Sequence, residues 1–462
     1  MSTNIQKNQI TEGIIWRQLL LFFFPILLGT FFQQLYNTID SVIVGQFVGK
    51  EALAAVGGSS AQIVAFVVGF FTGLSSGASV TIAQFFGAKD SRSANKGLHT
   101  AYAIAAFGGL ILTVSGIILT PFLLEMMNTP ADIVADSAVY LRIYFAGIIF
   151  VLIYNMGSAI LRATGDSKRP LYYLIVCCII NIVLDVLFVI VFHMGVMGVA
   201  VATLIAQAVS AVLVTLKLMR SEGILKLSVK QIRFHGSILK MQLKLGLPTG
   251  FEAILFSITN IAIQSAVNTF GTDTTAAWSA YGKLDAIFWM VSTAFGIAIT
   301  TFVGQNYGAG KMDRVRKSTR VCLLMDFIVS AVLVVFLIAA RFLLFRLFTN
   351  DSHVIEIGCD MLVLITPWYI VYVFIEVIAG ALRGVGNVVV PVAITLLGVC
   401  VLRIAWLAAM LKISPTISAI ILSYPVTWVI TALAFIIYYI YITHKTIAGS
   451  SKKACSKIVS SR

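Results

Sequence analysis

Pro25-Ile-Leu-Leu-Gly-Thr-Phe-Phe-Gln-Gln-Leu-Tyr-Asn-Thr-Ile-Asp40 opens on a proline inside a long apolar segment and closes on a carboxylate. Within it Gln33, Tyr36, Asn37 and Asp40 recur at steps of three and four, the spacing that gathers side chains on one face of a helix. The flanking apolar run is long enough to cross a bilayer. An ionised Asp near the centre of such a helix costs roughly 2.5–3.5 kcal/mol on insertion scales. The stripe therefore has to face protein or water, and it marks this helix as part of a polar interior.

The same reading extends along the chain. Of 462 residues, 59% are hydrophobic and 11% charged, and the mean hydropathy is +0.97. A soluble domain has no interior large enough for that much apolar surface. Segments of about 20 mostly apolar residues, each able to span a hydrocarbon core of ~30 Å, recur at about 15–44, 52–78, 96–120, 137–160, 170–192, 196–219, 240–268, 275–305, 318–346, 358–381, 389–411 and 416–442. The expected fold is an all-α polytopic membrane protein with 12 transmembrane helices.

The net charge of +14 lies in alternate loops. Basic residues cluster at Lys7 and Arg17, at Lys89 to Lys96, at Arg162 to Arg169, from Lys217 to Lys244, from Lys311 to Arg320, and from Lys445 to Arg462. The other loops hold little beyond Lys50, Arg341, Arg346 and Lys412. This asymmetry puts both termini in the cytoplasm, and with no aromatic-basic surface it argues against nucleic acid as a partner. The polar start, Met1 to Glu12, and the length of the first apolar segment argue against a cleavable signal peptide. The six cysteines lack metal-ligand spacing and read as small buried hydrophobes.

The two halves repeat. Leu161-Arg162-x-x-Gly165-x4-Pro170 returns 221 positions on as Leu382-Arg383-x-x-Gly386-x4-Pro391, and Gln84-x-x-Gly87-Ala88 returns at the same shift as Gln305-x-x-Gly308-Ala309. Six spans per half make the repeats parallel. The expected division is an N-terminal six-helix lobe at 1–220, a cytoplasmic linker at 221–238, a C-terminal lobe at 239–445 and a basic tail at 446–462. Gly69, Gly73 and Gly77, and their counterparts Ser292, Gly296, Thr300 and Gly304, are small residues at every fourth position and read as helix-packing surfaces.

Asp40 has prospective partners. Asn181 and Asp185 share a face of the fifth span, and Thr203 lies early in the sixth. At ~1.5 Å per residue, Asp40, Asp185 and Thr203 reach a matched depth in the outer half of the membrane. Two carboxylates, an amide and a hydroxyl are oxygen donors suited to a proton or to a Na⁺ ion. The other reading is hydrogen-bond glue between helices. At the repeat shift Asn181 falls on Leu402, Asp185 on Trp406, and Asp40 on the apolar stretch from Ile261 to Ile263, so the second half lacks the set. That half carries its own expected buried ionisables, Glu252, Lys283, Asp285, Asp326, Glu376 and Arg403. Mutual salt bridging, substrate attraction and a second cation site are all open readings for them.

No nucleophile elbow, P-loop, zinc motif or catalytic dyad appears, so the chain is not read as an enzyme or an ATP-driven pump. Nor does any motif point to a cofactor.

The duplicated Gln84-x-x-Gly87-Ala88 and Leu161-Arg162-x-x-Gly165 motifs, with Asn181-x3-Asp185 and twelve spans, resemble the multidrug and toxic compound extrusion (MATE) family over nearly the whole chain. The resemblance implies a V-shaped pair of six-helix lobes. It also implies an antiporter that exports cationic, amphiphilic drugs against H⁺ or Na⁺ by alternating access, in the cytoplasmic membrane and as a monomer. It places the coupling cation on Asp40, Asn181, Asp185 and Thr203, with Tyr36 and Asn155 extending the network. Another branch of the family uses acids in the C-terminal lobe. Here Glu252 stands near the start of the seventh helix, but Tyr372 stands where that branch has its tenth-helix acid. Asn37, Gln33, Glu252, Lys283, Asp285 and Glu376 are accordingly the substrate-binding candidates. A lipid-linked oligosaccharide flippase of a related two-lobe family is the alternative, which calls for a more cationic central cavity.

Overall fold

A computed structural model describes residues 10–459, with side chains described through Thr443. Lys7, Cys455 and the basic tail at 446–462 lie outside the described side chains. Among the described residues the chain is all helical, with 12 helices long and apolar enough to cross a membrane. They are α1 (Ile15–Phe47), α2 (Lys50–Gly87), α3 (Ser91–Met126), α4 (Val134–Ala163), α5 (Lys168–Val191), α6 (Gly195–Met219), α7 (Gly236–Asn268), α8 (Thr272–Gly308), α9 (Met312–Arg346), α10 (Ser352–Gly384), α11 (Val389–Ile413) and α12 (Ile417–Thr443).

Most of the helices overrun the apolar segments that announce them. The expected span at 52–78 belongs to a helix that runs to Gly87, and that at 96–120 starts at Ser91. Hydropathy registers only the part that sits in lipid, whereas the hydrogen-bond ladder continues through polar turns until a cap stops it. Asp90 is such a cap: its carboxylate accepts from the Ser93 N–H at 3.0 Å. The bonds from Ser93 hold that carboxyl below its ordinary range. α2 is interrupted at Gly58, between Lys50–Gly57 and Ser59–Gly87. In α5 the α-helix ends at Asp185 and one π-helical stretch, Val186–Val191, completes the span. α11 carries a similar stretch at Leu396–Val401.

The chain forms two compact units. The first comprises Met1–Ser257, Ile297–Ser318 and Gly384–Gly386. Its main core gathers Leu74, Ile82, Leu98, Ile148, Leu152 and Ile160 from α2, α3 and α4, with Val214 of α6. A smaller core joins Ile43 and Val44 of α1 to Ala52 and Val56 of α2, Val189 of α5 and Val196 and Val199 of α6. The small residues of α2 pack as their spacing predicts. A Cβ on Gly73 would lie 2.4 Å from the Gly250 backbone N, and one on Gly77 would lie 2.4 Å from the Gly246 N, so α2 and α7 touch backbone to backbone.

The repeated Gln-x-x-Gly-Ala motifs meet in this unit. A Cβ on Gly87 would fall 2.0 Å from the Gln305 carbonyl oxygen, and one on Gly308 would fall 2.0 Å from that of Gln84. The glutamine side chains then reach past the crossing. Gln84 Nε2 donates to the Gly384 carbonyl at 2.8 Å, and Gln305 Nε2 donates to the Ala163 carbonyl at 2.7 Å. Each amide thus satisfies a carbonyl at the end of α10 or α4 that its own helix leaves open.

The segment between the halves is short and docked. It makes 3-10 turns at Gly223–Leu225 and Val229–Gln231, and buries Leu227. Asn95 of α3 donates to the Ile224 and Lys226 carbonyls, both at 3.2 Å, and His99 Nε2 accepts from the Ser228 N–H at 3.0 Å.

The second unit comprises Ile258–Gly296, Thr319–Arg383 and Asn387–Arg462. Its interior is rich in aromatic rings: Phe288 stacks on Tyr369 with centroids 3.9 Å apart, and Trp428 packs against Tyr369, Tyr372 and Tyr424.

Candidate cation site

α1 delivers Tyr36 and Asp40 to the interior of the first unit one turn apart, 7% and 8% exposed. Gln33 and Asn37 of the same stripe are exposed. The four side chains span an arc of about 100° on a 3.6-residue helix, and the edge of the buried surface runs through it. α5 delivers Asn181 and Asp185, 1% and 0% exposed, and α6 delivers Thr203 at 7%.

The three helices converge as their depths predict. The Asp40 carboxyl faces the Asp185 carboxyl and the Thr203 hydroxyl. The two carboxyls lie within hydrogen-bonding reach of each other, and a proton on one of them would close that bond. Asp40 Oδ1, both oxygens of Asp185, both polar atoms of Asn181 and Thr203 Oγ1 are buried without a hydrogen-bond partner. Leaving a buried donor or acceptor unsatisfied costs about 1–3 kcal/mol, and more for a charged group. Among the described residues no salt bridge reaches either acid.

The set is close and oxygen-rich, and among the described residues no cationic side chain neutralises it. Its donors are oxygens apart from the Asn181 amide nitrogen, a chemistry that suits a hard cation or a proton. No group of three or more His, Cys, Asp or Glu side chains positioned to hold a metal occurs among the described residues.

Several neighbours went unread in the sequence. Gln207, one turn beyond Thr203, donates to the Tyr36 hydroxyl at 3.4 Å. Tyr140 and Tyr144 of α4 stack with centroids 6.2 Å apart; Tyr140 lies within electrostatic reach of both acids and Tyr144 of Tyr36. The available signal was the same i, i+4 spacing that singled out Tyr36 and Asp40. Asn155 is half-buried on α4, and no hydrogen bond joins it to this cluster among the described residues.

The ionisable groups of the second half do not gather into one site. Lys283, expected to be buried, is exposed. It sits at a solvent- or lipid-facing position of α8 two residues from Asp285, and a long aliphatic stem lets a lysine take such a place. Asp285 is held by aromatic side chains. Trp289 Nε1 donates to it at 2.7 Å, and the hydroxyls of Tyr369 and Tyr281 donate to Oδ1 at 2.5 and 3.3 Å. Arg403 is 3% exposed. It donates to Thr427 Oγ1 at 3.0 Å and lies 4.0 Å above the Tyr424 ring. Glu376 pairs with Arg383 at 2.9 Å. Glu252 is buried on α7, in the first unit.

The MatE family model matches the chain twice, over residues 25–187 and 248–407, in step with the internal repeat. The probable multidrug resistance protein YoeA of Bacillus subtilis is 30% identical over 393 residues, 83% of this chain and 84% of that protein. The probable multidrug resistance protein NorM of Thermotoga maritima is 27% identical over 420 residues, 88% of each. Among solved structures, an outward-facing multidrug resistance MATE family transporter of the MOP superfamily superposes with a TM-score of 0.89 at 20% identity, over 98% of this chain and 100% of that one. At that identity the likeness fixes the fold.

Proposed function

The chain belongs to the MatE family, and from that membership we propose that it is a secondary active multidrug exporter of the cytoplasmic membrane. It exchanges a cationic, amphiphilic drug for H⁺ or Na⁺. The observation that carries this reading is the buried Asp40–Asp185 pair, brought together on α1 and α5 with no salt bridge to either acid among the described residues.

In this mechanism the pair has two states. Ionised and empty, two carboxylates repel in a medium of low dielectric, and the local packing of α1, α5 and α6 that separates them is favoured. A bound proton or Na⁺ removes that repulsion, lets Asn181 and Thr203 turn their oxygens inward, and favours the packing that draws the three helices together. Tyr36, held by Gln207, and the stacked Tyr140–Tyr144 rings transmit the change to α4 and α6. Coupling then needs only that drug and cation prefer different states.

The crossing of the two Gln-x-x-Gly-Ala motifs serves as the cytoplasmic gate, in contact when that side is shut. Both termini lie in the cytoplasm, the protein works as a monomer, and two six-helix lobes joined by the 221–238 linker rock about it. A pyrophosphate-binding flippase finds less support, since Arg403 is buried and committed to Thr427 and Tyr424.

Dye efflux from cells expressing the protein tests the reading. Efflux that collapses with an uncoupler assigns H⁺, and efflux that collapses on sodium removal assigns Na⁺. Efflux indifferent to both would sink it.

A further inference from the structure

The second unit holds an acidic cluster that the mechanism above does not use. Asp326 of α9 is fully buried. Its Oδ1 accepts from the Ser330 hydroxyl, one turn on, at 3.2 Å, and its Oδ2 is buried without a hydrogen-bond partner. Glu376 of α10 faces it, and Cys322 faces it from one turn earlier on α9. Glu376 Oε1 accepts from Arg383 Nη2 at 2.9 Å. It fits there because α8 carries Gly296, where a Cβ would lie 2.0 Å from that oxygen. The Arg383 and Glu376 side chains keep 16% and 20% of their exposure, so the ion pair forms the rim and Asp326 lies behind it.

Asp326 has an acidic neighbour in Glu376, that carboxyl is engaged with the Arg383 guanidinium, and no salt bridge reaches Asp326 among the described residues. The surplus negative charge would fall on the residue with no access to water, where the penalty for an ion is several kcal/mol. A proton on Asp326 removes it.

We infer that Asp326, Glu376 and Arg383 form a proton-binding site of the second unit, in which Asp326 holds one exchangeable proton behind the Glu376–Arg383 pair. Moving that proton from Asp326 to Glu376, with Arg383 following the negative charge, leaves the net charge of the three unchanged. The pair at the rim is thus a route by which the proton reaches water. The site shares no residue with the Asp40–Asp185 cluster and does not rest on the antiport reading.

Infrared difference spectroscopy of the full-length protein in lipid nanodiscs, through a pH titration, tests the inference. The wild type is expected to show a carbonyl band from a protonated carboxylic acid that persists in the Asp40→Asn, Asp185→Asn double variant. Asp326→Asn loses this band. Ser330→Ala keeps the acid but removes its hydrogen bond, so the band moves to higher frequency. Glu376→Gln, which removes the negative charge beside Asp326 and leaves Arg383 without its carboxylate, shifts the pH at which the band disappears. An unchanged band set in Asp326→Asn would overturn the inference. If Asp326→Asn fails to fold, a band that does not move in Ser330→Ala and keeps its midpoint in Glu376→Gln overturns it equally.

Discussion

At the scale of single residues, the account turns on carboxyls that stability alone would not keep. Asp185 is fully buried, and both its oxygens lack a hydrogen-bond partner. Asn at this position has nearly the same shape and no charge to desolvate, so Asp185→Asn should leave the fold unharmed. A thermal melt in detergent measures this. A melting temperature several degrees below wild type would mean that the carboxylate holds the fold together, contrary to the reading. Thr203→Ala removes one neutral oxygen and leaves both acids in place. It should weaken apparent cation affinity about tenfold, the effect of ~1.4 kcal/mol, without lowering the maximal transport rate, which titration of transport against the coupling ion will resolve. The acids, the amide and the hydroxyl were legible in the sequence because ionisable residues are rare in lipid-spanning segments and their depths matched. The aromatic neighbours Tyr140 and Tyr144 were not, since tyrosines occur throughout such helices, at lipid interfaces and in cores alike.

At the scale of elements, the two Gln-x-x-Gly-Ala motifs explain their own spacing. The glycine makes room for the partner's backbone at the crossing, and the glutamine three residues earlier caps a helix end. Gly87→Ala and Gly308→Ala each place a Cβ 2.0 Å from a carbonyl oxygen that has no freedom to withdraw. Each should prise α2 and α8 apart, and a cysteine introduced near the crossing should then react faster with a soluble thiol reagent; an unaltered labelling rate would contradict the gate assignment. Gln84→Ala and Gln305→Ala lose one hydrogen bond each, about 0.5–1.5 kcal/mol, and should show the same change more weakly. The sequence displayed the repeat of these motifs but not their meeting, because pairing between residues over 200 positions apart leaves no periodic trace. The π-helical stretch that follows Asp185 was also invisible, since Val186–Val191 reads as ordinary apolar helix. Stretches of this kind often occur at functional sites.

At the scale of the whole molecule, twelve spans and a duplicated architecture followed from hydropathy and two repeated motifs, and the MatE match to each half agrees with them. The fate of the second half's charges did not follow. Whether Asp285 meets a lysine, an arginine or a ring of tyrosines depends on how helices far apart in sequence are rotated toward each other. Here Asp285 is bonded by two tyrosines and a tryptophan with Arg403 in electrostatic reach, and Lys283 is exposed. The central claim is that Asp40 and Asp185 exchange a cation for the drug. Uptake of a fluorescent cationic drug into inverted membrane vesicles, driven by an imposed proton or sodium gradient, tests it most directly. Gradient-driven uptake by the wild type is expected to fall at least tenfold in Asp40→Asn, with normal amounts of folded protein in the membrane. Uptake that follows the gradient equally in Asp40→Asn and wild type would contradict it.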